Sequence, residues 1–134
     1  MSQTNEFENA ETELIFTTSK DITIYENFQD MGLKMEILRG IFSSGFERPS
    51  QIQQRAIVPC YNGRDCVIQA QSGTGKTATF SIAAVQRVFC AYQENPVHKC
   101  RAIVLSPTRE LATQSYNVLV DLSKHCQVHQ LTHF

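Results

Sequence analysis

The sequence predicts an α/β fold in which helices flank an incomplete parallel sheet. Short apolar runs alternate with longer amphipathic stretches in the order strand, helix, strand, helix, which is typical of parallel strands joined by right-handed crossovers. The 134 residues, 42% apolar and 19% charged, are sufficient for one globular domain. No apolar run approaches the ~18 residues that cross a membrane, and the acidic N-terminus does not resemble a secretory signal. We therefore expect an intracellular protein, cytoplasmic or nuclear, without a membrane partner.

The charges divide the chain into two parts. Residues 1–27 contain six acidic residues against Lys20 and show no clear helical or strand period, so we expect an acidic, disordered tail. Residues 28–134 contain eleven Lys and Arg against seven acidic residues, a net charge of +4. This excess permits phosphate contacts but is equally compatible with an ordinary solvated surface.

Two helices are predicted before the first strand. Apolar residues at helical spacing predict one that starts near Leu33 and ends at Gly45. The other begins after Ser50, which forms a capping box with Gln53 three residues later. The residues expected to close this second helix are Pro59, Asn62 and Gly63.

Residues 65–70 and 101–105 are predicted to be buried strands, because each is a short apolar run. A helix over about 76–92 follows the first strand, and another over about 106–124 follows the second. Two isolated strands with three or four helices would leave strand edges unpaired and an apolar face uncovered, which predicts marginal stability and aggregation.

Cysteine and histidine patterns give a weaker signal. The five cysteines include no C-x-x-C pair, which favours reduced, packing thiols in a cytosolic or nuclear protein. His125, His129 and His133 recur every four residues beside Cys126, a spacing that could place three imidazoles on one helix face for a metal. The apolar residues among them equally allow a strand or a frayed tail.

A glycine-rich segment lies between the first predicted strand and the next helix, where a phosphate-binding loop must lie. Gly73 and Gly75 let successive N–H groups point at phosphate oxygens, helped by the positive end of the helix. Lys76 would reach the β and γ phosphates, and the Thr77 hydroxyl would bind Mg²⁺. The alternative is a simple turn with a solvated lysine. The residues of this loop are Ala70, Gln71, Ser72, Gly73, Thr74, Gly75, Lys76 and Thr77.

Two further segments flank this loop. Residues 45–53 read GFERPSQIQ, and Phe28 precedes Gly45 by seventeen residues. Residues 107–112 read PTRELA and follow the second predicted strand. In this order, with a phosphate loop that begins with alanine, the three segments resemble the Q motif, the phosphate loop and the first RNA-contacting motif of DEAD-box RNA helicases. Within that family they are most similar to the branch of translation initiation factor four-A and its exon-junction relative.

The resemblance implies a partial RecA-like P-loop domain over residues 28–124, which binds ATP, and a divergent C-terminal end over 125–134. It implies ATP and Mg²⁺ as cofactors, RNA as a partner bound through its backbone, and translation-initiation or exon-junction proteins as further partners.

The resemblance also assigns roles to single residues. Gln53 would pair with adenine N6 and N7, and Phe28 would stack on the base; the alternatives are the capping box and a core anchor. Arg48 would lie near the base, at a position where this branch often has lysine.

The resemblance further implies that Pro107, Thr108 and Arg109 contact the RNA backbone. The alternative is an N-cap at Thr108 beside an Arg109–Glu110 surface pair.

The sequence lacks the groups that carry hydrolysis in this family, a D-E-A-D motif and a second domain. After Lys76 its only acids are Glu94, Glu110 and Asp121, none at the end of a buried run. We therefore expect an N-terminal fragment of an ATP-dependent RNA helicase that binds nucleotide and RNA without hydrolysing ATP. The alternatives are a truncated isoform acting as a binding module and a different phosphate-loop enzyme such as a small kinase.

Overall fold

A computed structural model describes residues 22–126, and within them the regular structure is helical. A short 3-10 helix, Phe28–Met31, precedes four α-helices. Their bounds are Met35–Ser43 for α1, Gln51–Tyr61 for α2, Lys76–Glu94 for α3 and Arg109–Ser123 for α4. None of these helices has the length and hydropathy that a membrane crossing requires.

The predicted parallel sheet is not seen in residues 22–126. Segments 65–70 and 101–105 are irregular, without strand pairing. Several of their apolar side chains face solvent: Val67 is fully exposed, and Ile103 and Leu105 are 78% and 90% exposed. A buried strand needs neighbours that complete its hydrogen bonds and elements that cover its faces, and the described residues supply neither. The prediction that these apolar runs remain uncovered is therefore confirmed, while their predicted burial is wrong.

Glycine ends α1 as the sequence predicts. Gly45 has φ +85°, and its N–H donates to the carbonyl of Phe42 at 3.1 Å. The next N–H, of Phe46, donates to the carbonyl of Ile41 at 3.3 Å. These two bonds form a Schellman motif, which satisfies carbonyls at the helix end.

The helix α2 begins as predicted and continues further than predicted. Ser50 is its N-cap, and the capping box with Gln53 is present. Pro59 was expected to close α2 but lies inside it, since the helix reaches Tyr61. A proline removes one helical hydrogen bond, and α2 ends at Tyr61 in a second Schellman motif, in which Gly63 has φ +87°.

One core joins the 3-10 helix to all four α-helices. Its buried residues are Phe28, Met31, Leu33, Ile37, Leu38, Ile41, Ile57, Ile82, Val85, Phe89 and Leu122. Two partly buried hydrogen bonds supplement this core: the Tyr61 hydroxyl donates to the Met31 carbonyl at 2.5 Å, and the Lys34 N–H donates to Gln86 Oε1 at 3.0 Å. Helix packing against these residues therefore holds the described part together in the absence of a sheet.

Ordered contacts begin before residue 28. Tyr25, which lies within the predicted acidic tail, packs against the core and donates its N–H to the Gln54 carbonyl at 3.1 Å. Residues 1–21 of that predicted tail lie outside the described residues.

The helices α1 and α4 pack backbone to backbone at Gly40. A Cβ added at Gly40 would lie 2.0 Å from the carbonyl oxygen of Leu122, a residue that is itself fully buried. The carbonyl oxygen is part of the backbone and cannot rotate away from the added Cβ. A larger residue at position 40 would therefore force the two helices apart.

We expect Gly40→Ala to lower the free energy of unfolding of the 134-residue chain by about 3 kcal/mol, because overpacking displaces α4 from the core. Urea unfolding followed by circular dichroism measures this. Arg39→Ala, an exposed change on the same helix, is the control and should stay within about 0.5 kcal/mol of the unmutated chain. Equal stability of the two variants would contradict the close contact.

Candidate functional site

The loop of residues 70–77 leads directly into the longest helix, as the sequence predicts. Gly75 is the N-cap of α3 with φ +94°, and the helix begins at Lys76 and runs for 19 residues. Thr77, in its first turn, is half-buried. The first N–H groups of a helix lack intrahelical partners and carry partial positive charge, so the loop lies at an anion-attracting end.

The Lys76 side chain folds back over the loop. Its ammonium donates to the carbonyl oxygen of Ala70 and, at 2.6 Å, to that of Gln71. The Thr74 hydroxyl donates to the same Gln71 carbonyl at 2.8 Å. The ammonium therefore lies within the loop, bound to neutral oxygens that a charged phosphate oxygen could replace with stronger, charge-assisted bonds.

The N-terminus of α2 contacts this loop through two side chains. The Ser50 hydroxyl donates to the Thr74 carbonyl at 2.8 Å. Gln53, only 2% exposed, accepts from the Ser50 N–H at 2.8 Å and donates through Nε2 to the Gly75 carbonyl at 3.5 Å. The capping box that starts α2 is thus also the contact that positions the loop.

Gly73 and Gly75 have different roles. A Cβ at Gly75 would lie 2.7 Å from Gln53 Nε2 and 3.3 Å from Ser50 Oγ, so this position needs glycine for space as well as for its φ. Gly73, with φ +79°, has no atom within 4 Å of such a Cβ. The loop is therefore packed against α2 on one side and open at Gly73, where a ligand can approach the backbone.

The two residues expected at the base have different surroundings. Gln53 forms the capping box, as its alternative role requires, and it keeps one amide hydrogen and one oxygen lone pair for a further partner. Phe28 is 0% exposed in the core, edge-on to the Phe42 ring at 6.4 Å. This is the geometry of the core anchor, because stacking on a base requires an exposed ring face. Arg48 is exposed, two residues before Ser50.

The three residues expected at RNA lie at the start of α4. Pro107, Thr108 and Arg109 are exposed. The Thr108 hydroxyl accepts from the Leu111 N–H at 3.3 Å, so Thr108 is the N-cap that the alternative interpretation predicts. No hydrogen bond within residues 22–126 joins these three residues to the phosphate loop.

Within the described residues, the acids after Lys76 and the histidines form neither a catalytic nor a metal site. Glu94 ends α3, while Glu110 and Asp121 lie on α4, all three exposed. Residues 22–126 contain no group of three or more potential metal ligands. His129 and His133 of the predicted histidine face lie outside the described residues.

Ser50 has a second role in the site that its capping pattern does not predict. Its hydroxyl caps α2 and also donates across to the loop. Its place within the GFERPSQIQ segment is the signal that could have identified it.

Comparison with known proteins places these features in one family. A family model described as DEAD/DEAH box helicase matches residues 50–133. The chain is 55% identical to eukaryotic initiation factor 4A of Drosophila melanogaster over 106 residues, covering 79% of this chain and 25% of that protein. It is 50% identical to the ATP-dependent RNA helicase FAL1 of Pyricularia oryzae over 119 residues, covering 89% and 28%.

Solved structures give the same result. A variant of dbp5 from S. cerevisiae bound to gle1 and ip6 superimposes with a TM-score of 0.71 at 38% identity, covering 79% of this chain and 26% of that one. A DEAD box protein from the hyperthermophile Methanococcus jannaschii gives 0.65 at 37% identity, covering 74% and 26%. The chain thus spans about a quarter of the length of these relatives. With the family model matching more than half of it, this chain belongs to the DEAD/DEAH box helicase family.

Proposed function

We propose that this chain binds ATP with Mg²⁺ at loop 70–77 and forms part of the nucleotide-binding half of an ATP-dependent RNA helicase. The observation that carries the proposal is the Lys76 ammonium, bound over a glycine loop that opens at a helix N-terminus. Two relatives indicate which nucleotide to expect. FAL1 is named an ATP-dependent RNA helicase, and a S. cerevisiae Dbp5 variant was solved with RNA and ADP BeF3.

The groups at the loop suit a triphosphate. Residues 73–77 present backbone N–H groups near the α3 N-terminus, and Lys76 exchanges its carbonyl partners for phosphate oxygens. Thr77 would hold the Mg²⁺, whose chemistry is to neutralise phosphate charge. The remaining amide hydrogen and lone pair of Gln53 suit the adenine edge. The surrounding domain extends over residues 28–124.

Hydrolysis is not included in the proposed function of this chain alone, because none of the three acids after Lys76 (Glu94, Glu110 and Asp121) is placed for it. The acids after Lys76 lie on exposed turns of α3 and α4. Positioning of the attacking water and stabilisation of the transferring phosphoryl group therefore need groups that α3 and α4 do not supply. The chain on its own binds without turnover, and a non-catalytic binding module is the second candidate function that this observation favours.

RNA is the proposed macromolecular partner. Pro107 and Arg109 are exposed at the N-terminus of α4, where a backbone N–H cluster and a guanidinium suit phosphates and carry no sequence information. Since a Dbp5 relative was solved with gle1, and initiation factor 4A is another relative, proteins of translation initiation or of the exon junction are further candidate partners in the cytoplasm or nucleus.

We expect Lys76→Ala to weaken Mg–ATP binding roughly 10- to 100-fold, because it removes charge-assisted hydrogen bonds to phosphate. Titration of the 134-residue chain by isothermal calorimetry measures the affinity. Lys99→Ala removes an exposed lysine outside the loop and should bind as the unmutated chain does. Equal affinities for all three proteins would contradict the proposed site.

ATP turnover by the purified chain should not exceed that of Lys76→Ala, with or without RNA, because none of the acids after Lys76 is placed for catalysis. A phosphate-release assay over several hours provides the comparison. RNA-stimulated turnover above the Lys76→Ala background would show that the chain is an ATPase on its own and would remove the binding-module candidate.

Arg109→Ala should weaken RNA binding about equally for unrelated sequences and reduce the slope of log affinity against log salt by about 1, since one phosphate contact is lost. Fluorescence anisotropy at several salt concentrations measures both quantities. Arg39→Ala, on α1, is the matched control and should leave the slope unchanged. An unchanged slope for Arg109→Ala would place the RNA elsewhere.

A further inference from the structure

A cleft of about 330 Å³ lies between α3 and the segment that follows it. Three cations line this basic cleft: Arg87 on α3, with Lys99 and Arg101 on the following segment. The described residues that line it include no acid and no residue of loop 70–77. The basic cleft is completed by Ala84, Val88, Ala91, Cys100 and Ala102.

Hydrogen bonds hold two of these cations in place without neutralising them. The Arg87 guanidinium donates to the Tyr61 carbonyl at 3.1 Å. The guanidinium of Arg101 donates to the Val97 carbonyl at 3.2 Å and also to the carbonyl of Asn95. Because these acceptors are neutral, the positive charges remain available to a carboxylate, which would form the stronger, charge-assisted bonds.

The occupant that suits the basic cleft is acidic and apolar at once. Ala84, Val88 and Ala91 are spaced four and three residues apart, so they form one half-buried apolar stripe on α3. No aromatic ring lines the cleft, so the bases of an RNA would have nothing to stack on. Carboxylates interleaved with apolar side chains match both the stripe and the cations.

Residues 6–16 of this chain, the acidic segment, have that composition. They read EFENAETELIF, with four glutamates and no lysine, arginine or histidine. The segment precedes the described residues. Its large apolar side chains are those of Phe7, Leu14, Ile15 and Phe16.

The acidic segment is attached close enough to reach the cleft. Tyr25 donates its N–H to the Gln54 carbonyl on α2 at 3.1 Å, and Arg87 binds the carbonyl of Tyr61 at the end of the same helix. Seven residues of α-helix, at ~1.5 Å each, separate Gln54 from Tyr61 by about 10 Å. Nine residues join Phe16 to Tyr25 and span up to about 30 Å. The connection is therefore longer than the distance it has to cover.

We propose that the acidic segment docks in the basic cleft of its own chain, with its glutamates at Arg87, Lys99 and Arg101 and its apolar side chains against α3. The tether holds the segment at an effective concentration on the order of millimolar, so exposed ion pairs and a small apolar contact suffice. Docking would cover Cys100 and Ala102. No residue of the proposed nucleotide site takes part, so the inference does not depend on the proposed function.

Zero-length cross-linking tests the contact. A carbodiimide activates the glutamates of the 134-residue chain, and each joins a lysine amine within reach as an amide, with loss of one water. Trypsin releases the acidic segment within residues 1–20, because no lysine or arginine precedes Lys20, and releases linked Lys99 within residues 88–101. These two peptides should form the main cross-link of the monomer. Since salt screens ion pairs, the cross-link should be several-fold weaker in about 0.5 M KCl.

Alkylation of Cys100 gives a second readout that needs no carboxylate reagent. With the four glutamates changed to glutamine, Cys100 should react about threefold faster with N-ethylmaleimide, the protection expected from a cleft occupied about two-thirds of the time. Cys66 is exposed and does not line the cleft, so its rate is the internal reference. Glu26→Gln, an exposed change outside the segment, is the control and should leave Cys100 as it is. The four changes are Glu6→Gln, Glu8→Gln, Glu11→Gln and Glu13→Gln.

Three results would each overturn the proposal. Cross-links from the acidic segment to Lys34, Lys76 or Lys124 in preference to Lys99 would place the segment elsewhere. A Lys99 cross-link confined to dimers would assign the cleft to a second copy of the chain. Equal Cys100 rates in the unmutated chain and the glutamine variant would leave the cleft to an occupant of other chemistry.

Discussion

The contact between the start of α2 and the phosphate loop is the interaction on which the site depends. Ser50 and Gln53 satisfy the first N–H groups of α2, and the same side chains donate to the carbonyls of Thr74 and Gly75. One set of hydrogen bonds therefore begins a helix and holds the loop at the N-terminus of α3. Because Gln53 is buried, breaking this set would leave polar groups without partners, which costs more than the bonds contribute.

The loop needs such a contact because its other expected support is missing. In a complete α/β domain a strand paired on both sides leads into the loop, whereas here residues 65–70 are irregular and Val67 is fully exposed. Helix packing supplies the order instead: the core that begins at Tyr25 draws on all four α-helices, and α1 meets α4 at Gly40. The exposed apolar residues of the two unpaired segments remain available for aggregation or for further strands.

Local signals were readable from the sequence wherever a short-range rule applied. The capping box at Ser50, the glycine end of α1 and the start of α3 at Lys76 each depend on a few adjacent residues. The prediction that Pro59 closes α2 is wrong, since the helix continues to Tyr61 and ends in the Schellman motif at Gly63. Strand formation could not be read in the same way, since an apolar run becomes a strand only when other segments pair with it. Contacts between residues far apart in the chain, such as Ser50 with Thr74, produce no periodic pattern in the sequence and could not be predicted from it.

The most direct test of this account is amide hydrogen exchange in residues 70–77 of the 134-residue chain. Gln53→Ala removes the bonds to the Ser50 N–H and the Gly75 carbonyl, and exchange in the loop should become up to about tenfold faster. Gln51→Ala, an exposed change on the same turn of α2, should leave the loop as it is. Loop exchange that is identical in the unmutated chain and in both variants would contradict the claim that α2 positions the phosphate loop.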